Sequence, residues 1–369
     1  LIVLIVGSFT VKISDLAFGF FLNTQDKPAY GSSGRAIALR EFVPEQVAIA
    51  RPGPRDLQHA QTLKAKDYLL KTDKDGFIKT GNIAYKNSDH TILFLGESTT
   101  ESIFVEETAR FPSLVESYLR KDGISVNVLN AGVSGNHSMH SNFNLLGKAI
   151  PRKVDVAVLM HNANDLGLLS KTGSYWLSPE SKAIVISKNS TNRLSVYSFA
   201  LAVKNFFMPN LYGYIKPRLF PNLRIDGPDE YAGFSQNVLT EAEYNNVKMA
   251  FSNSLKTFVS ICHSWGITPI LLTQFNRVNM SNKDFIALYN KHNRVLSADQ
   301  FVALFHSFNE IIRRVAVDMD VKMVDLASII PPNEEHMYNH VHLTKEGSNK
   351  VASVIIPTIR DVLQSRNSP

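Results

Sequence analysis

The sequence has a single cysteine, Cys262, among its 369 residues. One thiol excludes an internal disulfide framework and any metal cluster built from several cysteines. Hydrophobic residues make up 44% of the chain and charged residues 20%, a balance that excludes a disordered chain or a coiled coil. Long lysine or arginine runs are also lacking, so the formal net charge of +6 indicates a solvated basic surface and no nucleic-acid partner.

The N-terminal apolar run is shorter than the 18 or more uncharged residues typical of a complete membrane-spanning helix. Residues 1–11 carry no charge, Lys12 and Asp15 interrupt, and a second apolar run ends at Leu22. We interpret residues 1–22 as the remnant of a membrane anchor, which predicts an extracytoplasmic location in the periplasm or at the cell surface. The alternative is an amphipathic segment that packs on the body of the protein.

Motifs for several common chemistries are missing from the chain. No G-x-S-x-G is present, which argues against an ordinary α/β-hydrolase. Neither G-x-x-x-x-G-K-[ST] nor a G-x-G-x-x-G after the first core strand occurs, so we expect no nucleotide cofactor. Two groups of histidines invite a metal site, but without an H-E-x-x-H helix or well-placed acidic co-ligands we expect no metal. These histidines are His137, His140, His161, His336, His340 and His342.

From residue 91 onward, short apolar runs alternate with segments of helical periodicity. This alternation predicts a doubly wound α/β domain with a parallel sheet. We expect strands over 91–95, 124–130, 154–160, 267–273 and 321–326, and helices near 111–119, 244–262, 301–319 and 344–363.

The domain organisation follows from where this alternation starts and stops. Residues 23–88 are rich in polar residues, Pro and Gly and predict an N-terminal extension with a few short strands. Residues 89–165 and 241–369 form the predicted catalytic domain. Between them, the aromatic-rich residues 166–240 predict an insertion that covers the strand ends as a lid.

Four residues in separate parts of the chain supply the groups needed for acyl transfer. Ser98, just past the first core strand, is the candidate nucleophile, and His342, before the last helix, is the candidate base. The backbone amides of Ser98 and Gly135 and the side-chain amide of Asn164 are candidate donors to an oxyanion. Because ligands bind beyond the carboxyl ends of parallel strands, we expect these groups to meet at one edge of the sheet.

The order and spacing of these residues resemble the SGNH (GDSL-type) hydrolase family over residues 91–165 and about 244–363. The resemblance implies a three-layer α/β/α sandwich with a mostly parallel five-stranded sheet in flavodoxin-like order. It also implies that Ser98 is the nucleophile, that Gly135 and Asn164 line the oxyanion hole, and that His342 is the base. The matching blocks are Gly96-Glu97-Ser98, Asn130-Ala-Gly-Val-Ser-Gly135, Asn162-Ala-Asn164-Asp165 and Asn339-His-Val-His342-Leu-Thr344.

Three positions depart from the family pattern. Glu97 replaces an aspartate, and Asn162 stands where a glycine is usual. Asn339 occupies the place of the acid that orients the histidine; its amide oxygen accepts an imidazole N–H but cannot stabilise an imidazolium by charge. The family includes members with a Ser–His dyad, and Glu334 or Glu335 is an alternative acid here.

We therefore predict a serine esterase that removes or transfers small O-acyl groups, such as acetyl, on a carbohydrate, without cofactor or metal. One alternative is a lysophospholipase or thioesterase acting on lipid acyl esters. Another is a catalytically degenerate protein that binds glycans in a cell envelope.

Overall fold

A computed structural model describes residues 35–58, 60, 62–177, 183–187, 239–277, 286 and 296–367. The predicted anchor, residues 1–22, and much of the predicted insertion lie outside these residues. Residues 37–185 and 208–369 belong to one compact unit, which contains every element discussed below except the ends of two short strands. Among the described residues, no helix combines the length and hydropathy needed to cross a membrane.

Nine strands and nine α-helices form the described part of the chain. In chain order they are β1 (Arg35–Ile37), β2 (Val47–Ala50), α1 (Pro54–Gln58), β3 (Tyr68–Lys71), β4 (His90–Gly96), α2 (Ser98–Glu101), α3 (Phe111–Lys121), β5 (Val126–Gly132), α4 (Ser138–Asn144), β6 (Val156–Met160), α5 (Ala163–Thr172), β7 (Val185–Ser187), α6 (Glu241–Ser264), β8 (Thr268–Leu272), α7 (Ala298–Asp318), β9 (Lys322–Val324), α8 (Leu326–Ile329) and α9 (Lys345–Asn367).

The central sheet has five parallel strands in the order β5-β4-β6-β8-β9, which confirms the predicted flavodoxin-like order. Strand β4 lies between β5 and β6, so Ile92 pairs with Val128 on one side and Val156 on the other. Two smaller sheets pair β2 with β3 and β1 with β7. The few short strands expected in residues 23–88 are therefore β1, β2 and β3.

Alternate residues of each core strand face opposite helical layers, which confirms the three-layer sandwich. In β4, Leu93 and Leu95 belong to a core cluster with helices α5, α6 and α7. Ile92 and Phe94 belong to the opposite cluster with α3 and α9. Both faces of β4 are fully buried, which explains why its sequence is a continuous apolar run and not an alternating one.

The predicted helices occur with small differences in their ends. Thr240 caps α6 through a capping box with Glu243, so this helix begins before the predicted residue 244. The Thr344 hydroxyl accepts a 3.0 Å bond from the Gly347 amide, as expected of a residue capping α9. Helix α9 continues past Pro357 to Asn367, so its predicted end near 363 is too early.

The boundary that we placed between residues 165 and 166 falls inside helix α5. Leu166, Leu168 and Leu169 of this helix are buried in the main core. The helix ends at Gly173, which has a φ of 67°, a conformation that glycine adopts without strain. Residues up to Thr172 are therefore part of the α/β core, and the predicted insertion is correspondingly shorter.

Candidate active site

The carboxyl ends of three adjacent strands bring Ser98, Gly135 and Asn164 to one edge of the sheet. Ser98 is the first residue of α2, two positions after β4 ends, and the other two residues follow the neighbouring strands β5 and β6. Helix α2 lies directly on the end of β5, because a Cβ added to Gly132 would sit 2.3 Å from the Glu101 backbone nitrogen. Glycine at this position therefore allows the turn that carries Ser98 to pack closely on the sheet.

Ser98 and His342 lie within hydrogen-bond distance although 244 positions separate them in the sequence. The distance from Ser98 Oγ to His342 Nε2 is 2.7 Å, and that from His342 Nδ1 to Asn339 Oδ1 is 3.0 Å. The structure thus joins the three residues in one hydrogen-bonded chain, in the order hydroxyl, imidazole and amide. This is the geometry in which an imidazole removes the proton of a serine hydroxyl.

The Asn339 amide is oriented by the backbone of its own loop. Its Oδ1 accepts hydrogen bonds from the Val341 amide at 3.1 Å and the His342 amide at 2.9 Å. An oxygen fixed in this way accepts from His342, which places the imidazole proton on Nδ1. Nε2 then carries the lone pair that faces Ser98.

The imidazole of His342 is half-buried against an aromatic ring. Tyr338 stacks on it with a centroid distance of 5.5 Å and an interplanar angle of 9°. Burial lowers the pKa of His342 to about 4, and the negative charge of Asp56 opposes the change. His342 is therefore neutral at pH 7, the form that a general base requires.

Arg277 holds the loop that carries the histidine. Its backbone amide donates to the His340 carbonyl at 2.7 Å, and its Nη1 donates to the Met337 carbonyl at 3.1 Å. The same guanidinium pairs with Glu334 at 3.2 Å. The Glu334 carboxylate thus forms an ion pair with Arg277, and Nδ1 of His342 is hydrogen-bonded to Asn339. The structure therefore does not support Glu334 as the acid that orients His342.

Glu335, the second alternative acid, is an exposed residue whose backbone carbonyl accepts the Thr344 hydroxyl. The hydrogen-bond partner of His342 Nδ1 is Asn339 and not a carboxylate. The electrostatic support usual for such a histidine is replaced here by a neutral amide.

Asn164 presents a donor group that its own surroundings leave unused. Among the residues that the structure describes, its buried side-chain Nδ2 has no hydrogen-bond partner. Its backbone amide donates to Glu97 Oε2 at 2.9 Å, which ties the residue to the position before Ser98. A buried N–H without a partner is costly in a folded protein, and such a donor is suited to an oxygen that appears only during the reaction.

Glu97 is buried at the centre of a polar network. Burial raises the pKa of Glu97 to about 7, whereas a hydrogen bond from Gln274 Nε2 and one from the Asn164 amide favour the charged form. Gln274 also donates to Thr99 Oγ1 at 2.7 Å, and its Oε1 accepts from the Ala163 amide at 2.9 Å. Glu97 therefore links α2 to the ends of β6 and β8.

Two residues of this network had no assigned role in the sequence analysis. Gln274 lies two residues after the end of β8 and was not among the candidate site residues. Asn309 of α7 was missed; its side chain bonds both the amide and the carbonyl of Gln274, at 3.0 and 2.9 Å. The signal for Asn309 is its position among the buried residues Phe305, Phe308 and Ile312 of the same helix.

A second polar cluster lies buried beneath the site, around Asp165. This carboxylate accepts from the Ser138 amide at 3.0 Å and the Tyr175 hydroxyl at 2.5 Å, and it pairs with His161 at 3.3 Å. Burial raises the pKa of Asp165, but the hydrogen bond and charge of His161 outweigh it and hold the pKa below its usual range. His161 also bonds Ser141 at 2.8 Å. These contacts give Asp165 a structural role, because it joins α4, α5 and Tyr175.

Within the described residues, no group of three or more His, Cys, Asp or Glu side chains has an arrangement that would hold a metal ion. His161 is engaged by Ser141 and Asp165, and His342 by Ser98 and Asn339.

No protein-family model matches the chain, and no curated protein matches it. Among solved structures, it is similar to a lipase/acylhydrolase from Enterococcus faecalis, with 14% identity and a TM-score of 0.43, covering 74% of this chain and 96% of the other. It is similar to an acetylxylan esterase from Geobacillus stearothermophilus, with 13% identity and a TM-score of 0.42, covering 75% and 95%. Because both the sequence identities and the TM-scores are low, any conclusion about the activity of this chain has to be drawn from its own residues.

Proposed function

We propose that this protein is a serine esterase of the SGNH type that removes or transfers small O-acyl groups, such as acetyl, on a carbohydrate. The observation that carries the proposal is the 2.7 Å contact between Ser98 Oγ and His342 Nε2, with Asn339 behind the imidazole. The order of groups matches that of nucleophile, base and orienting residue in enzymes of acyl transfer. The low pKa of His342 keeps the base unprotonated at neutral pH.

In the first half of the reaction, Ser98 Oγ bonds to the ester carbonyl carbon and its proton passes to His342 Nε2. The carbonyl oxygen takes the electron pair and becomes an oxyanion. The backbone amides of Ser98 and Gly135 and Nδ2 of Asn164 donate to it. When the tetrahedral intermediate collapses, the bond to the sugar oxygen breaks, and His342 returns the proton to that oxygen. The products are a free sugar hydroxyl and an acyl-enzyme on Ser98.

In the second half, water attacks the acyl carbon while His342 accepts its proton. Collapse of the second intermediate breaks the bond to Ser98 Oγ, which regains a proton from His342, and a carboxylic acid leaves. If a sugar hydroxyl attacks in place of water, the same steps give a new ester, and the enzyme is an acyltransferase.

The choice of a carbohydrate substrate rests on the resemblance in the sequence, and the residues that adjoin Ser98 inside the protein are polar. Glu97 precedes it in the chain, the Asn164 amide adjoins Glu97, and Asn339 lies behind the base. The choice of a small acyl group rests on the resemblance in the sequence, so a series of p-nitrophenyl esters from C2 to C12 tests it. A preference for C8 or longer would favour the lipid alternative, because each additional buried CH₂ contributes about 0.8 kcal/mol.

The nucleophile is tested with Ser98→Ala and with Ser353→Ala as a matched control on the exposed face of α9. We expect Ser98→Ala to abolish release of p-nitrophenol from the acetyl ester and Ser353→Ala to leave it unchanged. A fluorophosphonate probe should modify the wild type at Ser98, as located by mass spectrometry. Activity in the Ser98→Ala variant, or an adduct on another serine, would contradict the proposed mechanism.

The proposed location is outside the cytoplasm, with residues 1–22 acting as a membrane anchor. This part of the proposal rests on the apolar sequence of those residues alone. Cell fractionation of the full chain tests it: recovery in the membrane fraction, lost on deletion of residues 1–22, is the expected result.

A further inference from the structure

A segment of the N-terminal extension reaches the loop that carries Gly135. Both Nε and Nη2 of Arg40 donate to the Ser134 carbonyl oxygen, at 3.1 and 2.9 Å. Arg40 precedes the core by about fifty residues, and nothing in the motif pattern pointed to it. The guanidinium nevertheless contacts this loop at Ser134, the residue that precedes the proposed oxyanion donor Gly135.

The Ser134 carbonyl and the Gly135 amide belong to one peptide group. Because a peptide is planar and this one is trans, its C=O and N–H point in opposite directions. A guanidinium that fixes the carbonyl oxygen therefore fixes the direction of the Gly135 N–H as well. Its positive charge also draws electron density toward the carbonyl oxygen, which makes the N–H a stronger donor.

The backbone conformation at residue 135 explains why this position is glycine, and Arg40 lies close against it. Gly135 has a φ of 74°, in the left-handed region that L side chains rarely adopt. A Cβ built on Gly135 would lie 2.8 Å from Arg40 Nη2. The guanidinium thus occupies the space in which any side chain at 135 would begin.

Ser134 connects this contact to the helix of the nucleophile. Its hydroxyl donates to Glu101 Oε2, and Glu101 lies in α2, which begins with Ser98. Burial raises the pKa of Glu101 to about 7, and the bonds from Ser134 together with the charges of Arg110 and Arg40 oppose the change. Ser134 is therefore held at two points: Arg40 binds its carbonyl oxygen, and Glu101 of α2 binds its hydroxyl group.

Arg40 is itself anchored on the core. The Asn144 side-chain amide donates to the Arg40 carbonyl at 3.2 Å. The next residue, Glu41, pairs at 2.8 Å with Lys148, whose side chain is 8% exposed. The backbone that carries Arg40 is thus held against the core by contacts at residue 40 and at its neighbour.

We propose that Arg40 is a positioning residue that orients the Ser134–Gly135 peptide so that its N–H faces the oxyanion. This inference rests on the proposed function, since it assigns a role within the same site. Under this proposal, the N-terminal extension contributes a positioning residue to the active site. A misplacement of about 1 Å in a group that contacts the transition state costs up to about 100-fold in rate.

The test compares Arg40→Ala, Arg40→Lys and Arg51→Ala in the full chain. Arg51 is a matched control, an arginine of the same extension whose side chain is 70% exposed and pairs with Asp67. We expect Arg40→Ala to lower kcat on p-nitrophenyl acetate about 10- to 100-fold with KM within about twofold. Arg40→Lys keeps the charge and one donor and should recover part of the loss, as should millimolar guanidinium added to Arg40→Ala. Arg51→Ala should behave as wild type.

Hydrogen exchange of the segment 132–137 provides a readout that does not depend on activity. We expect faster exchange in Arg40→Ala than in wild type and Arg51→Ala, with the global unfolding midpoint little changed. Unchanged exchange, or a kcat equal to that of Arg51→Ala, would overturn the inference. If the wild type lacks Ser98-dependent activity, the proposed function fails and the catalytic role of Arg40 with it, whereas the exchange data still decide whether Arg40 holds the loop.

Discussion

The Oδ1 atom of Asn339 lies 3.0 Å from Nδ1 of His342 and also accepts hydrogen bonds from two backbone amides of its own loop. In serine proteases, an asparagine in place of the orienting acid lowers kcat about 10⁴-fold, largely because it selects the wrong imidazole tautomer. Here the two backbone donors leave the amide oxygen, and not the NH₂ group, facing the imidazole. The correct tautomer is therefore retained, and what the asparagine lacks is the negative charge.

Asn339→Asp should restore that negative charge, because aspartate has nearly the same size and shape as asparagine. We expect an increase in kcat of about tenfold, well below 10⁴, because only the electrostatic part of the deficit remains to be recovered. The measurement is steady-state hydrolysis of p-nitrophenyl acetate. Asn339→Ala, which removes the acceptor, should lower kcat. A gain of several thousandfold from a baseline near zero would instead identify the natural protein as catalytically degenerate.

The pH profile should report the low pKa of His342. Because the base must be neutral, kcat/KM should rise with pH through about 4 and be constant from about pH 5.5 toward neutrality. A new carboxylate beside the imidazole favours its protonated form, so Asn339→Asp should move this limb upward by one or more pH units. A wild-type limb near 6.5, the ordinary value for histidine, would contradict the effect of burial.

Asn164→Ala should remove one donor to the oxyanion. We expect kcat to fall about 10²–10³-fold with little change in KM, because the amide acts on the oxygen only as charge develops. Asn164→Asp keeps the size but presents no N–H, so it should be equally impaired. A change confined to KM would place Asn164 in substrate binding and not in the oxyanion hole.

Gln274→Leu should destabilise the fold by about 2–3 kcal/mol, because the buried Glu97 carboxyl and the Ala163 amide lose their partners. The loss should be larger at pH 8 than at pH 5.5. Since the pKa of Glu97 is about 7, the carboxylate that needs these donors forms mainly at the higher pH. Urea unfolding at both pH values is the measurement, with Thr257→Val on the exposed side of α6 as a control.

The hydrophobic pattern was sufficient to predict the layers and the strand positions of the core. The three central strands β4, β6 and β8 are apolar on both faces, as buried parallel strands require, and the order of the five strands follows the resemblance. The residues that follow those strands are the ones that meet at the edge of the sheet. Ser98 and His342 could be paired in advance because the motif blocks that contain them resemble those of the SGNH family in order and spacing.

Contacts between side chains that are distant in the sequence could not be predicted from the hydrophobic pattern. Gln274 is one polar residue among several after a strand, and its partner Asn309 lies 35 residues later on helix α7. Arg40 belongs to a stretch without periodicity, so its contact with Ser134 depends wholly on the tertiary fold. The end of the core at the insertion was misplaced because α5 follows its strand after a short turn and its apolar residues resemble those of a lid.

The bonds from Arg40 to Ser134 bear on how the chain can be shortened. A recombinant fragment starting at residue 89 retains all five core strands and the Ser98–His342 pair, and by sequence it looks like a complete domain. It loses Arg40 and the ion pair between Glu41 and Lys148. It also loses Phe77, which is buried in the main core. Slow ester turnover by such a fragment would therefore be a consequence of the truncation and not a property of the whole enzyme.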